Sequence, residues 1–550
     1  MVTRAATTPG TGKVHLRLTS WGVASLGLTL VFLAPILSVF IAAAGDTGDL
    51  WPHLFRTVLP RYIGNTLVLM AGVACISLLF GVSTAWLVTR YAFPGRRVLE
   101  WMLLLPAAVP TYLIAYTYTD FLEYAGPVQQ ILRDVFGWQS ARDYWFPEIR
   151  SMGGATLVLG AVLYPYVYMM ARAAFMLTPA SLFEVGMLAK RSEFWSVGLP
   201  LARPAIVAGL ALVMMETVSE FGVVEYFAIE TITLGIFNVW LGMNSLPAAA
   251  KIASVCFLFI IALLAMEILA RSRRRFINTS RKSASLPLQK LSGGKALLCL
   301  AACLAPIVIG FVIPVGVLLN FVLKGYSLEF SNAQLSAAWH SISLAASVAL
   351  LIVASASFLG FVAHYQGGKW LKRITAVASM GYAFPGTILA IGVITAAGTL
   401  DDGIAAIMDG VFGITYHGWL TSGVGLVAVA CAIRFQAIGY GAVTTGLGRL
   451  PPNMMNASRV LGRTFAGSLI ETILPLMRLS LITGGLLVFV DVMKELPMTL
   501  LLRPFNYETL ATYVYQFAKD ELLEQAAMPA LFIVIVGIVP VVLMNATLRR

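Results

Sequence analysis

Residues 153–170 read GGATLVLGAVLYPYVYMM, eighteen consecutive positions without a charged side chain. A run of this length and apolarity can cross the hydrocarbon layer of a bilayer as an α-helix. The whole 550-residue chain has the same character, with 59% hydrophobic and 12% charged residues, whereas soluble domains carry about 25% charged residues. Because the alternating pattern of a β-barrel is absent, the sequence predicts an all-α, polytopic membrane protein whose backbone hydrogen bonds are satisfied within helices.

Twelve apolar segments of roughly 20 residues lie along the chain, six before and six after the basic stretch RSRRRFINTSRK at 271–282. The first, at about 21–44, is not followed by a convincing cleavage site, so we interpret it as a retained helix. Despite a net charge of +12, Lys and Arg cluster in alternate loops, which indicates a membrane topology rather than nucleic-acid binding. With the basic stretch inside, both termini are predicted inside and the longest outer loop at about 124–150. The segments begin near Trp21, Ile63, Leu99, Met152, Ala205, Ile252, Ala296, Ala338, Ile374, Gly423, Leu479 and Met528.

The two sets of six segments carry the same motifs at one constant offset in residue number. Pro110 lies in PAAVPTYLIA and Pro385 in YAFPGTILA, which sets the offset at 385 − 110 = 275. Six helices per copy preserve the orientation, so the sequence predicts two homologous six-helix halves, 1–278 and 279–550, related by a pseudo-twofold axis along the membrane normal. The other pairs at this offset are Leu199-Pro200 with Leu474-Pro475, Arg203 with Arg478, Glu216 with Asp491, and Glu220 with Glu495.

A charged stretch, EVGMLAKRSEFWSVGLPLARP at 184–204, separates the fourth and fifth segments. Its counterpart is NASRVLGRTFAGSLIETILPLMR at 456–478, and both combine a short helix-compatible segment with a turn and a Leu-Pro pair. One such loop would be interpreted as an interfacial helix that caps the bundle. Two copies at matching inside positions favour docking elements for a partner with two-fold symmetry. Counted from Asn456, the second copy has Ala457 at +1, Gly462 at +6, and Leu474 and Pro475 at +18 and +19.

This spacing resembles the EAA loop of binding-protein-dependent ABC importer permeases. Four longer phrases resemble the fused two-half permeases of ferric iron importers: YPYVYMMARAAF, ETVSEFGVVEYF, YAFPGTILAIGV and DVMKELPMTLLLRPFNYETLAT. The resemblance implies the type I ABC importer permease fold in a bacterial inner membrane, with coupling loops at about 177–204 and 449–478. It implies two ABC ATPase subunits at those loops and a periplasmic ferric-ion-binding protein outside. The implied ATPase-coupling residues are Glu184, Gly186, Lys190, Leu199, Pro200, Asn456, Ala457, Gly462, Leu474 and Pro475.

The first coupling loop departs from the family pattern. Glu184 and Pro200 are 16 residues apart rather than 19, so the loop is about one helical turn short. Lys190 stands where Gly is expected, and in the second loop Asn456 replaces the usual Glu. We therefore expect the two ATPase contacts to differ.

The chain lacks the motifs of an enzyme. GTGK at 10–13 is followed by Val14 instead of the Ser or Thr of a phosphate-binding loop, and LSGGK at 291–295 runs directly into an apolar helix. The five histidines show no metal-binding spacing, the five cysteines lie in apolar stretches, and no GxSxG nucleophile motif occurs. We expect ATP and Mg²⁺ to bind to separate ATPase subunits and no cofactor to bind to this chain.

Carboxylates in the fifth and eleventh segments are the candidate substrate pathway. Glu216 and Glu220, four residues apart, are expected on one face about three turns inside a helix, and Asp491 and Glu495 repeat this spacing. One interpretation is structural, in which they pair with Arg434, Lys494 or backbone donors; the other is that they line the path. Ferric ion prefers carboxylate and phenolate oxygen, and passage requires transient contacts rather than a closed cage. The candidate residues are Glu216, Glu220, Glu225, Tyr226, Asp491 and Glu495.

Four alternatives to ferric iron import follow from the same residues. An importer of the same class could carry thiamine or a polyamine, which are also cations, or an oxyanion, for which acidic groups at depth are unfavourable. An ion-coupled secondary transporter would use buried carboxylates and repeats equally well, although it needs no paired inside loops.

Overall fold

The computed structural model describes residues 20–272, 288–326, 331–416, 418–451 and 453–548. The GTGK sequence, most of the basic stretch at 271–282 and the predicted boundary between 278 and 279 lie outside these ranges. Apart from the short parallel pair β1 (Tyr91–Ala92) and β2 (Gln289–Lys290), the described elements are helices. Those of the first half are α1 (Ser20–Ala43), α2 (Leu50–Thr57), α3 (Leu59–Arg90), α4 (Arg96–Met102), α5 (Thr111–Leu122), α6 (Pro127–Phe136), α7 (Met152–Leu177), α8 (Ala180–Leu188), α9 (Leu199–Ser219), α10 (Gly222–Tyr226), α11 (Ile232–Phe237) and α12 (Leu246–Ser272).

The second half repeats this order with few changes. Eleven helical segments of the described residues are long and apolar enough to cross a membrane, and a pair bent by 92° is a twelfth. The prediction of an all-α membrane protein with about twelve spans is thus confirmed. The second-half helices are α13 (Gly294–Ile307), α14 (Ile313–Leu323), α15 (Asn332–Tyr365), α16 (Lys369–Val377), α17 (Gly386–Phe412), α18 (Val424–Leu447), α19 (Met454–Val460), α20 (Phe465–Ser468), α21 (Leu474–Met493), α22 (Pro497–Leu502), α23 (Leu510–Lys519) and α24 (Ala527–Leu548).

The third and ninth apolar segments are broken, which the apolar pattern did not predict. Each begins as a short helix, passes through a 3₁₀ turn and restarts after a proline, at Pro110 and at Pro385. A residue before proline is disfavoured in the helical region, and Val109 and Phe384 are extended, with ψ of 126° and 117°. The 3₁₀ turns begin at Leu105 and at Met380, which are related by the same offset as the two prolines.

The fifth and eleventh spans begin earlier than the sequence predicted. The fifth span starts at Phe194 and the eleventh at Phe465. Each contains a π-helical turn, Phe194–Gly198 or Leu469–Ile473, and Pro200 or Pro475 follows that turn two residues later. Proline cannot donate to the carbonyl four residues before it, and its ring crowds that carbonyl. The wider π turn gives the chain room at this point.

The acidic residues lie at the ends of these two spans and not three turns inside them. Helix α9 ends at Ser219, so Glu216 is in its last turn and Glu220 follows it in an extended conformation. Helix α21 ends at Met493, so Glu495 again lies beyond the helix while Asp491 lies in its last turn. The expectation that each pair shares one face of a continuous helix was therefore wrong.

The first span of each half packs against the other half. Helix α1 lies along α17, and the Ser38 hydroxyl donates to the Gly392 carbonyl at 2.6 Å. Helices α13 and α14 form the seventh span, which packs beside α5, where the Tyr118 hydroxyl donates to the Ile309 carbonyl at 2.8 Å. Within each half the second, fourth and fifth spans pack together: α3 with α7 and α9, and α15 with α18 and α21.

Gly392 permits the close approach of α1 and α17, because a Cβ there would lie 2.0 Å from the Pro35 carbonyl oxygen. We expect Gly392→Ala to destabilise the protein by about 1–3 kcal/mol through overpacking. Its thermal unfolding in detergent measures this. Gly398→Ala on the same helix is the control, since its Cβ meets no atom within 4 Å, and this variant should unfold at an equal or higher temperature because Ala favours helix. Equal losses in both variants would contradict the close-packing argument.

Candidate functional site

A cavity of about 160 Å³ lies between the two halves, where the broken segments meet. Four of the six predicted pathway residues line it, together with two basic residues. When these four acidic and two basic side chains are all ionised, their summed formal charge is 2 − 4 = −2. The acidic members are Glu216, Glu220, Asp491 and Glu495, and the basic members are Arg434 and Lys494.

Glu220 and Glu495 occupy equivalent positions and cap equivalent short helices. The Val223 amide donates to Glu220 at 3.0 Å, and the Met498 amide donates to Glu495 at 2.9 Å. Amides in the first turn of a helix have no partner within that helix, and a carboxylate at this end is favoured by the helix dipole. Each carboxylate therefore satisfies backbone that would otherwise be unpaired inside the membrane.

The second oxygens of these two carboxylates have different partners. Thr111 donates its hydroxyl to Glu220 at 2.8 Å, whereas Arg434 pairs with Glu495 at 3.0 Å and both side chains of that pair are buried. Arg434 fits because Gly386, the counterpart of Thr111, has no side chain: a Cβ there would lie 2.7 Å from the guanidinium. The first half thus has a hydrogen bond from an uncharged hydroxyl where the second half has an ion pair.

Glu216 and Asp491 lie half-buried one turn before these caps. Lys494 lies 3.8 Å from Asp491 and donates to the Ala107 carbonyl of the other half at 3.4 Å. The Tyr382 hydroxyl of the second half interacts with Glu216 of the first half. These contacts join the halves around the cavity. The sequence left two interpretations of the carboxylates open, pairing with Arg434 or Lys494 and lining a path. In the structure the carboxylates that pair with these residues also line the cavity.

Glu225 and Tyr226 do not line this cavity. They lie at the far end of a column of aromatic rings that leads away from it towards the predicted outer side. Tyr112 lines the cavity and contacts Tyr116 at 5.8 Å between ring centroids, and Tyr116 contacts Tyr226 at 4.5 Å. The hydroxyls of Tyr112 and Tyr116 are buried without a hydrogen-bond partner in the described part of the chain.

Ion pairs join the two halves at the far end of this column. Lys519 lies 3.4 Å from Glu225, and Arg150 lies 3.0 Å from Glu521. The Arg150 guanidinium also covers the Tyr226 ring at 4.9 Å. In this conformation these contacts therefore hold the two halves together at the end of the column that lies near residues 124–150.

Sequence reasoning missed the inner tyrosines of this column. Tyr112 and Tyr116 are four residues apart in PTYLIAYTY and hence on one helix face, which was the available signal. Of the tyrosines at 164, 166 and 168, only Tyr166 lines the cavity; the other two donate to the carbonyls of Leu103 and Glu100. Among the described residues, no group of three or more His, Cys, Asp or Glu is placed to hold a metal ion.

The predicted coupling loops form two exposed helices, α8 and α19, at the opposite end of the molecule from residues 124–150. Each helix is followed by a residue with positive φ, 53° at Lys190 and 89° at Gly462. Glycine adopts this conformation freely, whereas a residue with a Cβ does so at a cost of about 1–2 kcal/mol. Lys190 thus takes the position of the expected glycine, and the turn geometry is retained.

The length difference between the loops lies just after this turn. The π turn begins four residues after Lys190 and seven residues after Gly462. The extra three residues of the second loop form most of α20 (Phe465–Ser468), which has no counterpart in the first half. The first loop is instead held by Trp86, whose ring contacts Phe183 at 6.1 Å and Phe194 at 5.2 Å.

The other predicted coupling residues lie in or beside these loops. Glu184, Asn456 and Ala457 are exposed, Gly186 is buried, and the two Leu-Pro pairs begin α9 and α21. At the ends of α8 and α19, Leu188 and Val460 are each 85% exposed. Large apolar side chains this exposed, outside the membrane-spanning segments, are available to contact another protein.

No profile of a known protein family matches this chain. Individual proteins do match over nearly its full length. It is 24% identical over 535 residues to the Fe(3+)-transport system permease protein FbpB 2 of Haemophilus influenzae, covering 94% of this chain and 96% of that protein. It is 21% identical over 515 residues to the ferric transport system permease protein FbpB of Actinobacillus pleuropneumoniae, covering 88% and 72%.

A shorter match involves a permease with another named cargo. Over 207 residues the chain is 29% identical to the sulfate transport system permease protein CysT of Synechococcus elongatus, covering 37% of this chain and 71% of that protein. The long matches and this half-length match agree with a chain built from two permease halves.

The buried pair of Arg434 and Glu495 provides a test of the cavity's construction. We expect Arg434→Met to destabilise the protein by about 3–5 kcal/mol, because it leaves a buried carboxylate without its countercharge. Thermal unfolding in detergent measures the loss. Adding Glu495→Gln, which keeps the acceptor for the Met498 amide, should restore most of the stability. If the double variant is as unstable as the single one, the ion pair is not the cause.

Proposed function

We propose that this chain, which is similar over almost its whole length to ferric transport permeases, is the non-catalytic permease subunit of an ABC importer and moves ferric iron across the bacterial inner membrane. A periplasmic ferric-ion-binding protein delivers the ion to the outer side. Two ABC ATPase subunits, which bind ATP and Mg²⁺, drive its passage to the cytoplasm. The two halves, residues 1–278 and 279–550, move relative to each other during the cycle.

The observation that carries the choice of cargo is the acidic cavity between the halves. Its ionisable lining has a formal charge of −2, and its polar groups are mainly carboxylate and phenol oxygens. A hard, highly charged cation favours such ligands over imidazole or thiolate. Glu220 and Glu495 are engaged by backbone amides, so Glu216 and Asp491 are the carboxylates that we assign to transient contact with the ion.

The tyrosine column is the proposed route from the outer surface to this cavity. The buried hydroxyls of Tyr112 and Tyr116 can serve as oxygen ligands in passing, since neither has another partner among the described residues. Separation of Lys519 from Glu225 and of Arg150 from Glu521 would open the outer end. Because both pairs join the two halves, rocking of one half against the other breaks them together.

The proposed orientation places both termini and the coupling loops in the cytoplasm. It rests on the clustering of Lys and Arg in the loops on that side. The coupling helices α8 and α19 then face the ATPase subunits with Leu188 and Val460 at their ends. Glu184, Gly186, Lys190, Leu199, Pro200, Asn456, Ala457, Gly462, Leu474 and Pro475 remain the assigned coupling positions.

Charged substitutions at the ends of the coupling helices test the ATPase contact. We expect Leu188→Asp and Val460→Asp each to weaken ATPase binding by about 30-fold, because burying a charge in place of an apolar anchor costs ~2 kcal/mol or more. Co-purification of the ATPase and its stimulated ATP hydrolysis are the measurements. Trp145→Asp, at an 86% exposed position in the outer loop, is the control and should bind the ATPase normally. Normal ATPase binding by both loop variants would overturn the assignment of the coupling loops.

Neutral substitutions in the cavity test the cargo. In proteoliposomes containing the full complex, Glu216→Gln and Asp491→Asn should each slow uptake of radioactive ferric iron by about tenfold, equivalent to ~1.4 kcal/mol of lost cation stabilisation. Asp409→Asn, an exposed position on α17, is the control and should transport iron at the normal rate.

The same vesicles distinguish the alternatives. Uptake of thiamine, spermidine or sulfate in place of iron, each offered with a periplasmic binding protein that recognises it, would show a different cargo in the same class. Uptake that continues without ATP while a proton gradient is maintained would indicate a secondary transporter and would contradict the proposal that ATP hydrolysis drives transport.

A further inference from the structure

A second cavity, of about 560 Å³, lies on the first half at the end of the molecule that carries the coupling loops. Its walls come from the ends of α3 and α7, from α4 and from the coupling helix α8. Four arginines and one glutamate line it, a formal charge of 4 − 1 = +3, or +2 when Glu193, the partner of Arg90, is included. The lining residues that carry charge are Arg90, Arg96, Arg97, Arg172 and Glu100.

Two of these arginines are committed to partners within the protein. Arg90 pairs with Glu193 at 2.5 Å. Arg96 pairs with Glu100 at 2.5 Å and donates to the Val88 carbonyl at 2.6 Å. These two arginines stabilise the walls of the cavity. The other two arginines are therefore the ones that can bind a ligand in it.

Arg97 and Arg172 carry the unused hydrogen-bonding capacity. Arg97 forms no ion pair with any residue that the structure describes. Arg172 reaches Glu100 only at 3.4 Å, and its Nε is buried without a hydrogen-bond partner in the same part of the chain. A buried guanidinium donor without an acceptor is unfavourable, and planar guanidinium groups match the oxygens of a phosphate.

The charges of this cavity are not repeated at the corresponding positions of the second half. The positions that correspond to the four arginines in the second half hold one basic residue, Lys372, and three residues without charge, Tyr365, Leu371 and Leu447. The excess of arginine is therefore a feature of the first half alone.

The cavity also has an apolar side that adjoins an exposed apolar surface at the end of α7. Phe175 and Met176 of the last turns of α7 line it, and Met176 is 59% exposed, next to Leu177 at 68%. A ligand that fits both parts has a phosphate group attached to hydrocarbon chains. We infer that this cavity binds the headgroup of an anionic phospholipid, with the phosphate between Arg97 and Arg172 and an acyl chain along Met176.

A lipid in this position would touch the shorter coupling loop directly. Phe183 of α8 lines the cavity, and Trp86, which also lines it, packs against Phe183 and Phe194. The segment that enters the second half is involved as well, since the Gln289 side chain donates to Glu193 at 3.3 Å and β2 pairs with β1. The lipid thus joins the elements that hold the shorter loop.

Native mass spectrometry of the full chain, titrated with phosphatidylglycerol or phosphatidylcholine, tests the inference. We expect one phosphatidylglycerol to bind tightly, and Arg97→Gln and Arg172→Gln each to weaken its binding about fivefold. Lys372→Gln, at the position equivalent to Arg97, is the matched control and should bind it normally. Phosphatidylcholine, whose headgroup has no net charge, should bind weakly to all four proteins.

Two outcomes would overturn the proposal. Equal binding of phosphatidylglycerol by the wild type and both Arg variants would show that Arg97 and Arg172 do not form a lipid site. If Lys372→Gln weakens binding as much as the Arg variants do, the binding would reflect general surface charge. If millimolar inorganic phosphate displaces the lipid, the ligand of this cavity would be a soluble phosphate rather than a lipid. Because Arg97 is exposed, Arg97→Gln should keep the unfolding temperature of the wild type. The measurement uses neither iron nor ATP, so its result is independent of the proposed transport function.

Discussion

Backbone hydrogen bonding within the hydrocarbon layer is the constraint on which the centre of this protein depends. A helix that stops inside a membrane exposes amides and carbonyls that water cannot reach. Four such interruptions converge here, after Val109 and Phe384 and at the ends of α9 and α21. Glu220 and Glu495 satisfy amides at two of them. The carboxylates that make the cavity acidic are therefore in part the groups that allow its irregular backbone to exist.

The two halves solve the same structural problem with different residues. Glu220 accepts hydrogen bonds from a threonine and an amide, whereas Glu495 has a buried arginine that occupies the space left by Gly386. The coupling loops differ in the same way, since Lys190 holds a backbone conformation that Gly462 adopts without strain. A fused chain allows such divergence, because each half always meets the same partner surface of the other.

The sequence predicted what depends on local pattern. The spans follow from runs of apolar residues, and the repeat follows from motifs that recur at one constant offset. The pattern failed at Pro110 and Pro385, because hydropathy continues unchanged across a break in the backbone. It also misplaced Glu216 and Glu220, since a helix end within an apolar run leaves no mark in composition. The separation of Glu225 from the cavity, and the column of tyrosines that leads to it, depend on how distant helices pack, which a single sequence does not encode locally.

The exchange of first helices between the halves has a consequence for how the protein is made. Helix α1 finds its neighbour in α17, and the Ser38–Gly392 hydrogen bond joins residues 354 positions apart. At a synthesis rate of about 5–20 residues per second, α1 waits on the order of 20–70 s in the membrane before its packing partner emerges from the ribosome. During that interval α1 can pack only against its own half, where it also contacts α12, and the residues that will meet α17 face lipid.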